Sequence, residues 1–313
     1  MKNIFRRVLF GNTAIKEYST ITIPGEIREK VILKVGRTLI DISQNQWLLC
    51  LEPVVFGVWL TDKEPITAID NKKACRLLFT DPAGDKGKGK NLAVATVIFF
   101  DKIEEDQGTL FLLKLEKSRL FHTGFFKILV LFYRYYKKPT FTFDKFKSFV
   151  SAYSYPRKVN IISFRQGDYY NIFPMDLTGE PRQAGRFVFG LRHSNLALAR
   201  IIESKRLVKS DVSYEYKDII YQLGKHHGTN PPPLDALPFQ VIQSEQFRFY
   251  IPSWAEKYKE IEIVKTLNLG SHMLLWGKLI NTKILKKPAG HLFHIHFLLY
   301  FYHLRKGLSY PLA

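Results

Sequence analysis

The chain has 313 residues, 46% hydrophobic, 24% charged and 14% aromatic. This composition excludes a disordered chain and supplies apolar mass for one large domain or two modest ones, with 25 Phe and 16 Tyr favouring β structure. The formal charge of +19 admits a polyanionic partner, yet the Lys and Arg excess is spread evenly over both halves, so it reads as general surface chemistry and no specific nucleic-acid partner is expected.

The first segment, Met1–Ser19, is basic and partly apolar but lacks the apolar run and cleavage site of a secretory leader. Residues 20–60 read as five short strands: TITIPG, KVILKVG, TLIDIS, QWLLCLEP and VVFGVWL. A loop is expected at Thr61–Pro65, then a strand at Cys75–Phe79. Cys50 and Cys75 sit in apolar strand-like runs without metal-ligand spacing, so buried free thiols and a reducing, cytoplasmic setting are expected. The Gly- and Lys-rich stretch Asp81–Asn91 lacks the phosphate-loop pattern and reads as a solvated hairpin loop.

AVATVIFF and TLFLLKLE, joined by the acidic segment DKIEEDQG, predict a hairpin. Gly124–Lys138 and Leu292–Lys306 are apolar but interrupted by Lys, Arg or His. Both are read as core or sheet-packing material, with contact to a membrane surface as the alternative. No window of about 18 residues is free of charge, so no transmembrane helix is expected. Phe143, Phe146, Phe149 and Val150 predict a short amphipathic helix over Phe143–Ser154. Pro156 disfavours helix before it, which sets the expected domain border: a β-rich module over 1–154, and a second over 155–313.

In the second half VNIISF and GRFVFGL predict strands. HSNLALARIIES predicts a helix with Ser194 or Asn195 as its cap and Leu198, Ile201 and Ile202 on its apolar face. YKDIIYQLGKHHG predicts a second helix ending at Gly224 or Gly228. The strands FQVIQ, FRFYIP, KEIEIVKTLNL and HMLLWGKLI follow TNPPPLDALP. There is no internal sequence repeat. His294 and His296 share a face only if their segment is a strand, and no third metal ligand lies near them in sequence, so no metal site is expected.

One ordered set of segments carries a specific chemistry. A strand with a Pro-containing lead-in, Tyr155–Phe164, precedes an expected turn, Asn171-Ile172-Phe173-Pro174-Met175-Asp176. Then comes a strand ending in Leu191-Arg192-His193-Ser194-Asn195, a helix, and a partly buried strand at Arg206–Val212. The set closes on Gly270-Ser271-His272 running to Gly277-Lys278. This order resembles the FMN-binding split barrel of the flavin reductase family over the last half of the chain. The resemblance implies a mainly β fold with a few helices, an FMN-binding split β-barrel in the C-terminal half and an additional β-rich N-terminal module. It implies FMN, or FAD, as cofactor, NAD(P)H as co-substrate and a homodimer. It places Asn171, Phe173, Met175, Asp176, Arg192, His193, Ser194, Asn195 and His272 at the flavin, with no catalytic side chain identified. Phe173, Met175 and Trp276 are candidate apolar walls, with core packing as the alternative for Trp276.

At the Asn171–Asp176 segment the family usually has Thr and Ser where this chain has Pro174 and Asp176. Pro174 has no N–H to give and an ionised Asp176 repels a phosphate. Arg192, Lys205, Arg206 and Lys209 are candidates for compensating charge. The alternative expectation is a non-catalytic barrel that has lost flavin and holds an anionic partner through its basic surface.

Overall fold

Two seven-stranded antiparallel sheets with the same strand order make up most of the molecule. The computed structural model describes residues 18–23, 25–61, 69, 75–82, 90–224, 229–308 and 310–312. Residues 1–17, most of the Thr61–Pro65 and Asp81–Asn91 loops, and His226, His227 and Gly228 lie outside the described residues.

After β1 (Tyr18–Ile23), the first sheet is built from β2 (Lys30–Val35), β3 (Thr38–Asp41), β4 (Gln46–Leu51), β5 (Val54–Leu60), β6 (Cys75–Asp81), β7 (Lys90–Glu105) and β8 (Gly108–Leu120). Its lateral order is β3-β2-β6-β7-β8-β5-β4. Helix α1 (Phe125–Leu131), a π-helical turn (Phe132–Tyr136) and helix α2 (Phe143–Ala152) follow. Strand β9 (Arg157–Lys158) leads into β10 (Asn160–Gln166), β11 (Tyr169–Met175), β12 (Thr178–Gly179) and β13 (Arg186–Arg192). Next come α3 (Ala197–Ser204), β14 (Arg206–Asp211), α4 (Lys217–Leu223), the small hairpin β15 (Val241–Gln243) and β16 (Tyr250–Pro252), then β17 (Lys257–Asn268) and β18 (His272–Ile284). The second sheet has the order β11-β10-β14-β17-β18-β13-β12. Replacing β2 to β8 in turn by β10, β11, β12, β13, β14, β17 and β18 converts one order into the other. The chain therefore contains the same curled, split-barrel sheet twice.

The period of two along each strand divides side chains between two cores. On β5, Val54, Phe56, Val58 and Leu60 enter the first core, while Val55 and Trp59 point into an apolar layer between the modules. On β13, Phe187, Phe189 and Leu191 fill the second core and Val188 joins the same layer. Trp276 on β18 is fully buried there, its ring 5.9 Å from that of Trp59. Core packing is thus the fate of Trp276, and its indole N–H donates to Glu105 at 2.7 Å. The backbones approach so closely that a Cβ on Gly190 would lie 1.7 Å from the Leu49 carbonyl oxygen.

Strand β19 (His291–His296) crosses back to pair with β1 and β9, and α5 (Phe297–Arg305) follows it. Phe293, Ile295, Leu299 and Tyr302 enter the first core. The last residues thus pack with the N-terminal module rather than with the barrel that precedes them.

Three expectations need correction. The β7–β8 hairpin turns on Asp106 and Gln107 alone, because Asp101–Glu105 remain paired in the ladder. Asn171–Met175 is not a turn but strand β11; the turn lies at Gly167–Asp168, where Gly167 takes φ +59. Arg206–Asp211 is a central strand with Leu207, Val208, Lys209 and Ser210 buried. Pro174 is tolerated in β11 because that strand is the edge of its sheet.

Candidate functional site

The ends of β11 and β13 and the start of β18 converge where the N-terminal module leans on the second barrel. They enclose a cavity of about 330 Å³. The second barrel contributes Phe173 to Leu177, Leu191, Arg192, Asn195 and His272, and the first module contributes Tyr18, Leu51 and Tyr153. A groove of about 640 Å³ continues from it, sharing Leu51 and Arg192 and running past Glu52, Lys145, Phe149 and Ser271.

Local geometry explains how these residues are held. Met175 and Phe173 alternate with Pro174 along β11, so they share the face that carries Asn171 deeper in the strand. Asn195 is buried and its side-chain oxygen accepts from the Ala197 N–H at 2.9 Å, fixing the entry to α3. At the other rim, the Ser271 N–H donates to the Glu52 carbonyl at 2.7 Å and the Ser271 hydroxyl accepts from the Glu52 N–H at 3.1 Å. Gly270, at φ +116, permits this approach, since a Cβ there would meet the Glu52 oxygen at 2.6 Å. His272 Nδ1 lies 2.8 Å from the Ser271 hydroxyl and 3.5 Å from the Cys50 sulfur.

Six of the nine sequence-predicted residues line the cavity: Phe173, Met175, Asp176, Arg192, Asn195 and His272. His193 and Ser194 are exposed on the β13–α3 connection, and His193 contacts Asn268 at 3.2 Å. Asn171 is fully buried inside the barrel, with Oδ1 unpartnered, and does not reach the cavity. Lys209 cannot serve as compensating charge here, because Glu180 at 2.8 Å and Asp211 at 2.5 Å hold it in a buried ion cluster. Lys205 and Arg206 do not line the cavity either.

At Asp176 the structure supplies partners that the sequence did not reveal. Its carboxylate accepts from the Tyr153 hydroxyl at 3.0 Å and faces His294 Nδ1 at 2.8 Å. Burial alone raises the Asp176 pKa, but the hydrogen bonds and charge of His294, with Tyr153, outweigh it and hold the carboxyl below its ordinary value. Tyr18 stacks on His294 with ring centres 5.0 Å apart, and Tyr221 stacks 5.7 Å away and hydrogen-bonds its Nε2. Burial raises the Tyr221 hydroxyl to about 12. Burial, then the Arg192 and His193 charges, push His272 down to about 4, so it is a neutral imidazole near neutral pH.

Sequence reasoning missed Tyr18, Leu51, Tyr153 and His294. The only signal for His294 was its strand spacing with His296, and β19 is indeed a strand. His296 is buried and accepts from the Leu298 N–H at the start of α5.

No family model matches the chain, and no curated protein matches it in sequence. Solved structures similar to it in fold include the following proteins. The FMN-binding protein from Thermus thermophilus is 17% identical, over 44% of this chain and 81% of that one, with TM-score 0.39. The flavin reductase component BorF of a bacterial two-component tryptophan halogenase is 10% identical, over 46% and 93%, with TM-score 0.41. The styrene monooxygenase flavin reductase of Pseudomonas putida S12 is 11% identical, over 44% and 86%, with TM-score 0.38.

Proposed function

We propose that the chain binds FMN in the intermodule cavity and uses NAD(P)H to reduce it, as a flavin reductase-like oxidoreductase. One observation carries this reading. A cavity with an apolar wall of Phe173, Met175, Leu177 and Leu191 opens beside the Arg192 cation onto a longer groove. A flat ring system with an anionic tail needs that combination: apolar faces for the ring, and cationic or N–H partners for the tail.

The residues present fit the group. Asp176, the apparent obstacle, has its carboxylate engaged by the Tyr153 hydroxyl and by His294 Nδ1. Phe173 and Met175 would flank the ring and His272 would offer it a neutral imidazole. Arg192 and Asn195 would hold the phosphate, with His193 and Ser194 beside them at the surface. Bound flavin would supply hydride-accepting chemistry toward reduced nicotinamide. The chain excludes water through Leu51 and Tyr153 and orients the ring against β11.

The test is direct. Purified protein titrated with FMN should quench flavin fluorescence stoichiometrically, and the complex should consume NADH or NADPH. Protein that neither carries nor takes up FMN or FAD sinks the reading. Pro174, which offers no N–H at the cavity, favours the second reading, a non-catalytic barrel holding another anion. That reading requires a phosphate-bearing ligand without a flavin ring to bind where FMN and FAD do not.

A further inference from the structure

Helix α1 and its π-helical continuation read GFFKILVLFYRYYKK from Gly124 to Lys138. The stretch is mostly apolar, interrupted by Lys127 and Arg134, and one side of it is covered. Ile128, Leu131 and Phe132 pack against Phe146, Val150, Phe297, Leu298 and Phe301 in a separate small core. On the outer side Phe125 is 68% exposed, Phe126 64% and Tyr133 55%, and Leu304 of α5, the helix that shares this small core, is 45% exposed. Single exposed apolar side chains need no explanation, but several exposed aromatic rings on one short helical segment do.

The two segments that carry this face bear cations and no acids. The sequence has no acidic residue between Glu116 and Asp144, and none after Glu262. These two acid-free segments meet at Phe301. Lys127 lies over that ring at 5.7 Å and Arg305 at 5.0 Å. Lys137 lies over Tyr133 at 5.2 Å and Lys306 over Tyr302 at 4.8 Å. Burial, then the charge of Arg305, lower the Lys127 pKa, as expected where like charges crowd. Asp144, at the margin, is engaged by Lys147 at 2.6 Å.

We propose that the α1–α5 face docks on an anionic lipid surface. Phe125, Phe126 and Leu304 would enter the headgroup boundary, and Lys127, Arg134, Lys137, Lys138, Arg305 and Lys306 would meet the phosphates. Charge complementarity selects this occupant. A second copy of the chain would bring the same cations face to face, whereas an anionic bilayer neutralises them all. Two short segments of this length lie in an interface and do not cross it; among the described residues no helix is long and apolar enough to span. Aromatic rings with flanking Lys and Arg are the side chains that sit at this depth. The inference does not depend on flavin binding.

The test is co-sedimentation of the full chain with vesicles of equal parts phosphatidylglycerol and phosphatidylcholine, against pure phosphatidylcholine. Binding to the anionic vesicles alone is expected, weakening as salt is raised. Phe125→Ser with Phe126→Ser should weaken it about tenfold or more, and so should Lys137→Glu with Lys138→Glu. These side chains are exposed, so an unchanged Tm is expected and separates lost binding from lost folding. Three results overturn the proposal: no sedimentation with anionic vesicles, equal binding to both compositions, or self-association abolished by the Phe variants in protein that ignores vesicles.

Discussion

His294 Nδ1 lies 2.8 Å from the Asp176 carboxylate and joins the last strand of the chain to the exit of β11. Tyr153 donates to the same carboxylate from the end of α2. The acid therefore ties three distant segments together at the wall of the cavity. Removing one member of such a pair strands the other in a poorly solvated site. Asp176→Ala should cost about 3 kcal/mol, and His294→Phe a comparable amount, read as a shift in urea midpoint at constant slope. A loss within about 0.5 kcal/mol for both would mean that the pair is solvated and incidental.

Acid stability should fall in two stages. Burial lowers His272 to about 4 and His122 to about 3, and holds His296 well below its ordinary value. The unfolded chain protonates these imidazoles below about pH 6.5, while the folded chain does not until far lower pH, so stability drops as pH falls between those values. Each contributes a slope of about 1.4 kcal/mol per pH unit within its window. Glu29 and Asp176 have lowered folded pKa values despite burial. Their contribution is present above the unfolded carboxylate pKa and is lost as pH falls through the folded values. Tm followed from pH 7 downward should show a decline already by pH 5.5, and His272→Asn should flatten it. A flat Tm down to pH 4.5 would show that these histidines reach water.

Gly190 controls the approach of the two barrels. A methyl group there would overlap the Leu49 carbonyl, which is backbone and cannot rotate aside. Gly190→Ala should force β4 away from β13 and open the layer that holds Val55, Trp59, Val188 and Trp276. A loss of about 3 kcal/mol or more is expected, with a red shift of tryptophan emission as the stacked pair meets water. Normal stability and emission would mean that the modules slide without cost.

Much of this architecture could be read in the residues, and the failures are physical. KVILKV and CRLLF were legible as strands, and in the structure their buried side chains alternate with half-buried or exposed ones. β5 is buried along its whole length, so alternation disappears from the sequence and reappears only as a division between two cores. The duplication of the sheet was invisible because strand order depends on pairing between distant segments, and each strand needs only apolar residues of suitable size. NIFPMD resembled a turn because Pro174 breaks strand propensity; the edge position removes the cost. Of the cavity wall, the half supplied by one barrel was legible as motifs. Tyr18, Leu51 and Tyr153 carry no local signature, since they act only after the modules meet.

Arg192 and Asn171 separate the two ways a residue can belong to a site. Arg192 is exposed at the cavity mouth, on the margin shared with the groove. Arg192→Glu should leave stability within about 0.5 kcal/mol and weaken FMN retention roughly tenfold, by replacing an attracting charge with a repelling one. Asn171 lies inside the barrel with Oδ1 unpartnered and only a long contact from Nδ2 to the Tyr169 hydroxyl at 3.4 Å. Asn171→Val should therefore leave FMN affinity unchanged and raise stability by about 1 kcal/mol, because it deletes an unsatisfied buried oxygen. Fluorescence titration and urea unfolding on both variants give four numbers with opposite patterns. Loss of flavin binding in Asn171→Val with normal binding in Arg192→Glu would move the site from the intermodule cavity into the barrel interior.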